Sequence, residues 1–208
     1  MVTVERRQTI EMHLFKLAVI HAIEAAKDRD RSSYSHLVKE LENSIVSLIT
    51  CYTSLEGFAN SIGLEFYGNH PDKERQRKWW EGIDGSDPMI ELPLLSKLNN
   101  LLKEVCKDNP NIQSPRSLPS ELQEKIKDMT DLRKSLIHYR ADFYKEAQTI
   151  KLDNNLIITP EFDLYKYETS IEFIKIYKEV VDEFNKYSRR KDYGGFVNVI
   201  LKDYNLAL

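Results

Sequence analysis

Between residues 41 and 66, apolar side chains return in alternating steps of four and three: Leu41, Ile45, Leu48, Tyr52, Leu55, Ala59, Ile62 and Phe66. An α-helix advances about 100° per residue, so this spacing draws one continuous stripe. It predicts a long helix from about residue 34 to 67, with a seam suited to a bundle. Upstream, residues 4 to about 28 also read as helix. Leu14, Leu17, Ala18, Ala22 and Ala25 form one stripe, and Phe15, Val19, Ile23 and Ala26 form a second beside it. An apolar face that wide predicts a helix buried between neighbours. The charged, serine-containing turn at 28–33 is suited to cap the helix that follows.

Gly68, Pro71, Gly82, Gly85 and Pro88 interrupt the pattern over 68–90, predicting an irregular segment with a short helix at about 73–81. Pro93 suits the first turn of a third main helix at 92–107, whose Leu94, Leu95, Leu98, Leu101, Leu102 and Val105 face inward. Three prolines mark 109–119 as a connection. Ser120 and Gln123 have the spacing of a capping box that opens a fourth helix. Leu122, Ile126, Met129, Leu132 and Leu136 form its stripe, and it should end between residues 139 and 146. Residues 150–152 and 156–158, separated by Asp153, Asn154 and Asn155, predict a small hairpin within 149–159. Thr169 and Glu172 form a second capping-box pattern ahead of Ile171, Ile174, Tyr177, Val181 and Phe184, giving a fifth helix to about 188. After Gly194 and Gly195, residues 196–201 read as a short terminal element. The fold class is therefore all-α, a helical bundle of about five main helices with one small extended insertion, in a single domain over 1–208.

Composition agrees with this picture and narrows the function. Hydrophobic residues are 41% and charged residues 30% of the 208, a balance that suits a folded, soluble chain. The net charge of −3 excludes a generally basic nucleic-acid coat, so any such contact must be local. Arg75, Arg77 and Lys78 beside Trp79 and Trp80 are one local candidate, since cations and rings together hold single strands. The plainer reading is that one Trp closes the core and the cations are solvated. Cys51 and Cys106 match no Cys-x-x-Cys pair and read as reduced core residues of a cytoplasmic protein. No 18-residue apolar run suggests a membrane span. The histidines have no metal-ligand spacing, and neither a phosphate-binding glycine loop nor a nucleophile elbow occurs. No metal or cofactor is expected.

Chemistry concentrates at residues 131–140, Asp-Leu-Arg-Lys-Ser-Leu-Ile-His-Tyr-Arg. Here a permanent cation, Arg133, precedes by five residues a side chain that titrates near neutral pH, His138. An imidazole can take the proton of a ribose 2′-hydroxyl or give one to a leaving oxygen, and a guanidinium can hold the charge that builds on the phosphate. Spacing alone is weak evidence: Arg6–His13, Arg7–His13, Arg29–His36 and Arg31–His36 share it. Only Arg133–His138 lies deep in a helical pattern. Five helical residues leave the two side chains about 140° apart, so either the helix bends or two chains share a site across a two-fold interface. The bland alternative makes Arg133, Lys134 and Arg140 a solvated basic face.

Residues 132–138, Leu-Arg-Lys-Ser-Leu-Ile-His, resemble the Arg-x4-6-His signature of HEPN domains, although Lys134 stands where that family commonly has a small polar residue. Glu56 and Asn60, one turn apart on the long second helix, are similar to a Glu-x-x-x-Asn feature of such domains. The resemblance implies a helical bundle that cuts RNA without metal, often as a homodimer in toxin or phage-defence systems. Arg133 and His138 would be the catalytic pair. Lys134, Ser135, Tyr139, Arg140, Glu56 and Asn60 would support them or bind RNA. An antitoxin or other protein partner is compatible with that reading. The alternative is a non-catalytic HEPN-like helical module that uses the same surface to hold a protein or RNA.

Overall fold

The computed structural model describes residues 2–29, 33–83, 85–137, 149–152, 155–158, 164–189 and 193–208. Helices α1 (Val2–Lys27) and α2 (Tyr34–Gly63) form the first hairpin. Ser33 caps α2 by accepting from the His36 amide at 3.3 Å, as the turn composition predicts. The small residues Ala18, Ala22 and Ala25 let α1 approach α2 closely, and all three are fully buried. Two buried serines tie the pair: Ser47 Oγ donates to the Ala18 carbonyl and Ser54 Oγ to the Glu11 carbonyl, each at 2.8 Å. The crossed order of these bonds fixes the two helices as antiparallel.

The seam of α2 packs as its spacing requires. Leu48, Tyr52, Leu55, Ala59 and Ile62 are buried, and Leu41, Ile45 and Phe66 pack partly buried against the same core. Two expectations change here. The α-helix stops at Gly63, and Leu64–Gly68 continues as a π-helical turn instead of ordinary α-helix. Helix α1 is also less enclosed than its two stripes imply, since Leu17 is 42% exposed on its outer side.

The π-helical turn leads into α3 (Lys73–Trp80), capped by Asp72. Trp79 is fully buried, stacks on Tyr67 at 6.2 Å and lies against Gly63 and Gly68. A 3-10 turn (Met89–Glu91) precedes α4 (Leu94–Asp108), which begins directly after Pro93. Helix α5 (Ser120–Ile137) follows, with Leu122, Ile126 and Met129 buried and Leu132 and Leu136 partly so. Its expected end between 139 and 146 lies outside the described residues.

Strands β1 (Thr149–Leu152) and β2 (Asn155–Ile158) pair antiparallel with Thr149 opposite Ile158 and Leu152 opposite Asn155. The expected hairpin is present, but Asn155 belongs to the second strand and not to the turn. Helix α6 (Tyr167–Tyr187) completes the bundle, and α7 (Phe196–Asp203) closes one end of it.

Neither capping box forms. Helix α6 starts after Lys166, so Thr169 is already inside its first turn. The Gln123 amide bonds the Pro119 carbonyl, which leaves Ser120 within α5, while the Gln123 side chain donates to the Leu118 carbonyl at 2.7 Å. In both places a backbone turn and long-range packing set the start.

Helix α6 threads the centre. Phe15 meets Tyr177 edge-on at 4.8 Å and Phe58 meets Phe184 at 5.5 Å. Lys125 of α5 reaches Glu179 of α6 at 3.2 Å and Glu172 at 3.8 Å, and these carboxylates raise its pKa. The molecule is an all-α bundle of five long helices, with Cys51 and Cys106 free and buried in its core. No described helix is long and apolar enough to cross a membrane.

Candidate functional site

Tyr52, Glu56 and Asn60 follow one another at four-residue intervals on α2 and so rise along one side of it. On α5, Thr130 and Arg133 are three apart and share the face that meets them. The Arg133 guanidinium lies over the Tyr52 ring, 5.2 Å from its centroid. This is within the range of a cation–π contact. Burial pushes the Tyr52 hydroxyl above its ordinary pKa; Thr130 opposes the shift, Glu56 adds to it and the Arg133 charge opposes it.

Helix α4 supplies the third wall. Lys97 is buried, 6% exposed, and its ammonium donates to Asn60 Oδ1 at 2.9 Å and to the Ile90 carbonyl at 2.7 Å. Burial lowers the Lys97 pKa, and the Glu56 carboxylate pulls it back up. The result is a polar cluster built from three helices: a carboxylate, an amide, two cations and a phenol. Charge balance decides its stability. A buried ammonium needs both acceptors and a counter-charge, and Asn60, Ile90 and Glu56 provide them.

The bundle thus brings Glu56 and Arg133 together at Tyr52, although they lie far apart in the chain, and Asn60 joins them through Lys97. Ser135 has a packing role: its Oγ donates to the Leu132 carbonyl at 2.7 Å and shares a 2.9 Å bond with the Tyr165 hydroxyl. Lys134 is exposed and 3.5 Å from Asp131, one turn back on the same helix. It lies on a different side of α5 from Arg133. His138, Tyr139 and Arg140 lie outside the described residues. Ile137, the last described residue of α5, immediately precedes His138.

Sequence reasoning misses Tyr52, Thr130 and Lys97. Tyr52 reads as another member of the apolar seam. Lys97 does carry a signal: it interrupts the inward-facing run between Leu94 and Leu98, a position where a lysine must find buried partners. Among the described residues, no three His, Cys, Asp or Glu side chains converge as metal ligands. No family model matches the chain, and no curated protein or solved structure matches it either.

Proposed function

We propose that this chain is a metal-independent endoribonuclease of HEPN type, with Arg133 and His138 acting on an RNA phosphodiester. The observation that carries the reading is the assembly of Glu56, Asn60 and Arg133 in one polar cluster. Two sequence features 77 residues apart, Glu56 and Arg133, are each suggestive alone and meet the same ring, Tyr52. Local patterning does not require that convergence.

In this reading His138 removes the proton from a ribose 2′-hydroxyl, and the 2′-oxygen attacks the adjacent phosphorus. Negative charge builds on the phosphoryl oxygens, where Arg133 opposes it. The bond to the 5′-oxygen breaks and that oxygen takes up a proton, leaving a 2′,3′-cyclic phosphate and a 5′-hydroxyl. Base and acid are both needed, and a homodimer that pairs two copies of the site supplies two imidazoles. The Tyr52 ring and Glu56 carboxylate orient the guanidinium, while Lys97 holds Asn60 and balances Glu56. On the same resemblance, the setting is a cytoplasmic toxin or phage-defence effector, with an antitoxin as a candidate partner.

The end groups test this chemistry. RNA cut by the protein in EDTA should carry 2′,3′-cyclic phosphate ends, and a single 2′-deoxy substitution at the scissile position should block cleavage there. Equal cleavage of the deoxy substrate would rule out the 2′-hydroxyl mechanism. A chain that cuts no RNA but retains a bound protein or RNA would fit the non-catalytic module. The packing of Arg133 on Tyr52 also suits that alternative.

A further inference from the structure

A second polar site lies beyond the Arg133 cluster, between α3, the π-helical turn and the end of α4. A cleft of about 430 Å³ opens there, lined by Tyr67, Asp72, Glu74, Arg75, Lys78, Ile83, Glu104 and Lys107. Two of its three carboxylates are engaged. Asp72 accepts from the Glu74 amide at 2.9 Å, and Glu104 pairs with Lys107 at 2.6 Å. Arg75 and Lys78 have no ion pair among the described residues; Lys78 lies over the Tyr67 ring at 5.8 Å. The lining thus carries as many cations as carboxylates, and of its cations Arg75 and Lys78 are the two outside an ion pair among the described residues.

The outer side of α3 continues the same chemistry. Lys73, Arg77 and Trp80 recur at steps of four and three and share a stripe. Trp79 belongs to the core, fully buried, whereas Trp80 is 45% exposed. An exposed indole flanked by cations is well suited to stack a base. Helix α3 carries a net charge of +3, which its acidic caps Asp72 and Glu81 reduce to +1, with Glu81 paired to Arg77 at 3.4 Å, in a chain whose total is −3. Such a local patch is where an otherwise acidic protein meets a polyanion.

The two sites lie along one seam. Asn60 meets Lys97, and seven residues further along both segments the Tyr67 hydroxyl meets Glu104. The segments therefore run side by side in the same direction, and the sites lie about 10 Å apart at 1.5 Å per residue.

We propose that the cleft and the outer stripe of α3 form a docking site for single-stranded RNA, with Arg75 and Lys78 on phosphates and Trp80 under a base. The cleft is sized for one nucleotide unit and not for a duplex. This docking does not require cleavage. Only its continuity with the Arg133 cluster, as the route of a strand toward the cutting site, rests on the proposed function.

The test uses the full chain and an uncleavable fluorescein-labelled 2′-O-methyl oligoribonucleotide of about 12 nucleotides, within single-strand site sizes. Binding is followed by anisotropy across a salt series and by tryptophan quenching. The Arg75→Ala/Lys78→Ala variant should bind roughly tenfold or more weakly, with a salt slope shallower by about 1.4. Trp80→Ala should weaken binding roughly tenfold and abolish the quenching. All three positions are exposed, and unchanged thermal melts establish that the variants fold. Binding that is unaffected in both variants, absent in the wild type or matched by a duplex competitor overturns the proposal. If Arg133→Ala alone abolishes binding, the α3 site falls while the nuclease reading stands. If binding depends on α3 but no RNA is cut, the docking site stands and the nuclease reading falls.

Discussion

Lys97 shows how one side chain ties the candidate site to the fold. Its ammonium bonds Asn60 and the Ile90 carbonyl, with Glu56 as its counter-charge. Lys97→Met keeps the volume but leaves those acceptors buried without a donor, so equilibrium urea unfolding should show a loss of about 1–3 kcal/mol. Adding Glu56→Gln should cost less in that background than in the wild type, since the carboxylate has already lost its partner. Additive costs would contradict the pairing. Arg133 is different. It is half-buried over the buried Tyr52 ring, and Arg133→Ala should cost about 0.5–2 kcal/mol of stability. Glu56, Asn60 and Arg133 were legible in the sequence as motif positions. Their mutual placement was not, because it depends on Lys97 bonding across 37 residues to Asn60 and on α5 presenting Arg133 to α2.

Among the elements, the end of α2 departs most from its pattern. The stripe through Ile62 and Phe66 continues smoothly, so periodicity gives no warning of the π-helical turn at Leu64–Gly68. A partner that the stripe cannot reveal packs against this turn. Trp79 of α3 occupies the space beside Gly63, where an added Cβ would stand only 1.9 Å from its ring. Gly63→Ala must therefore displace Trp79, at a cost of about 1–3 kcal/mol or more. Its tryptophan emission should shift to the red as the buried ring meets water. An unshifted spectrum with wild-type stability would contradict this packing. The two capping-box patterns mislead for a related reason. Four-residue spacing is common by chance, and the starts of α5 and α6 follow their tertiary contacts, such as the Tyr167 amide on Glu40 Oε1 at 3.2 Å.

For the molecule as a whole, the stripes predicted five long helices and their inward faces, but not their order in space. Ser54 meets Tyr177 while Ser170 meets Ser44, which sets α6 parallel to α2. No local pattern encodes that pairing. It buries Tyr177, as other contacts bury Tyr52 and Tyr67, and burial raises the pKa of all three. In the unfolded chain these phenols lose protons near pH 10, while the folded chain retains them. The folded state then binds more protons, so stability falls as pH rises above about 10. Tyr177→Phe should make that alkaline decline in urea midpoint shallower. An identical pH slope would contradict the burial.

Arg133 and His138 are proposed to cut RNA without metal. The most direct measurement is cleavage of a labelled single-stranded RNA in EDTA by the wild type, His138→Ala and Arg133→Ala. The proposed chemistry predicts cleavage by the wild type alone, with both variants folded and reduced by a factor of about 100 or more. Equal cleavage by all three would place the activity outside this pair, and inactivity of all three across varied RNAs would contradict the nuclease reading.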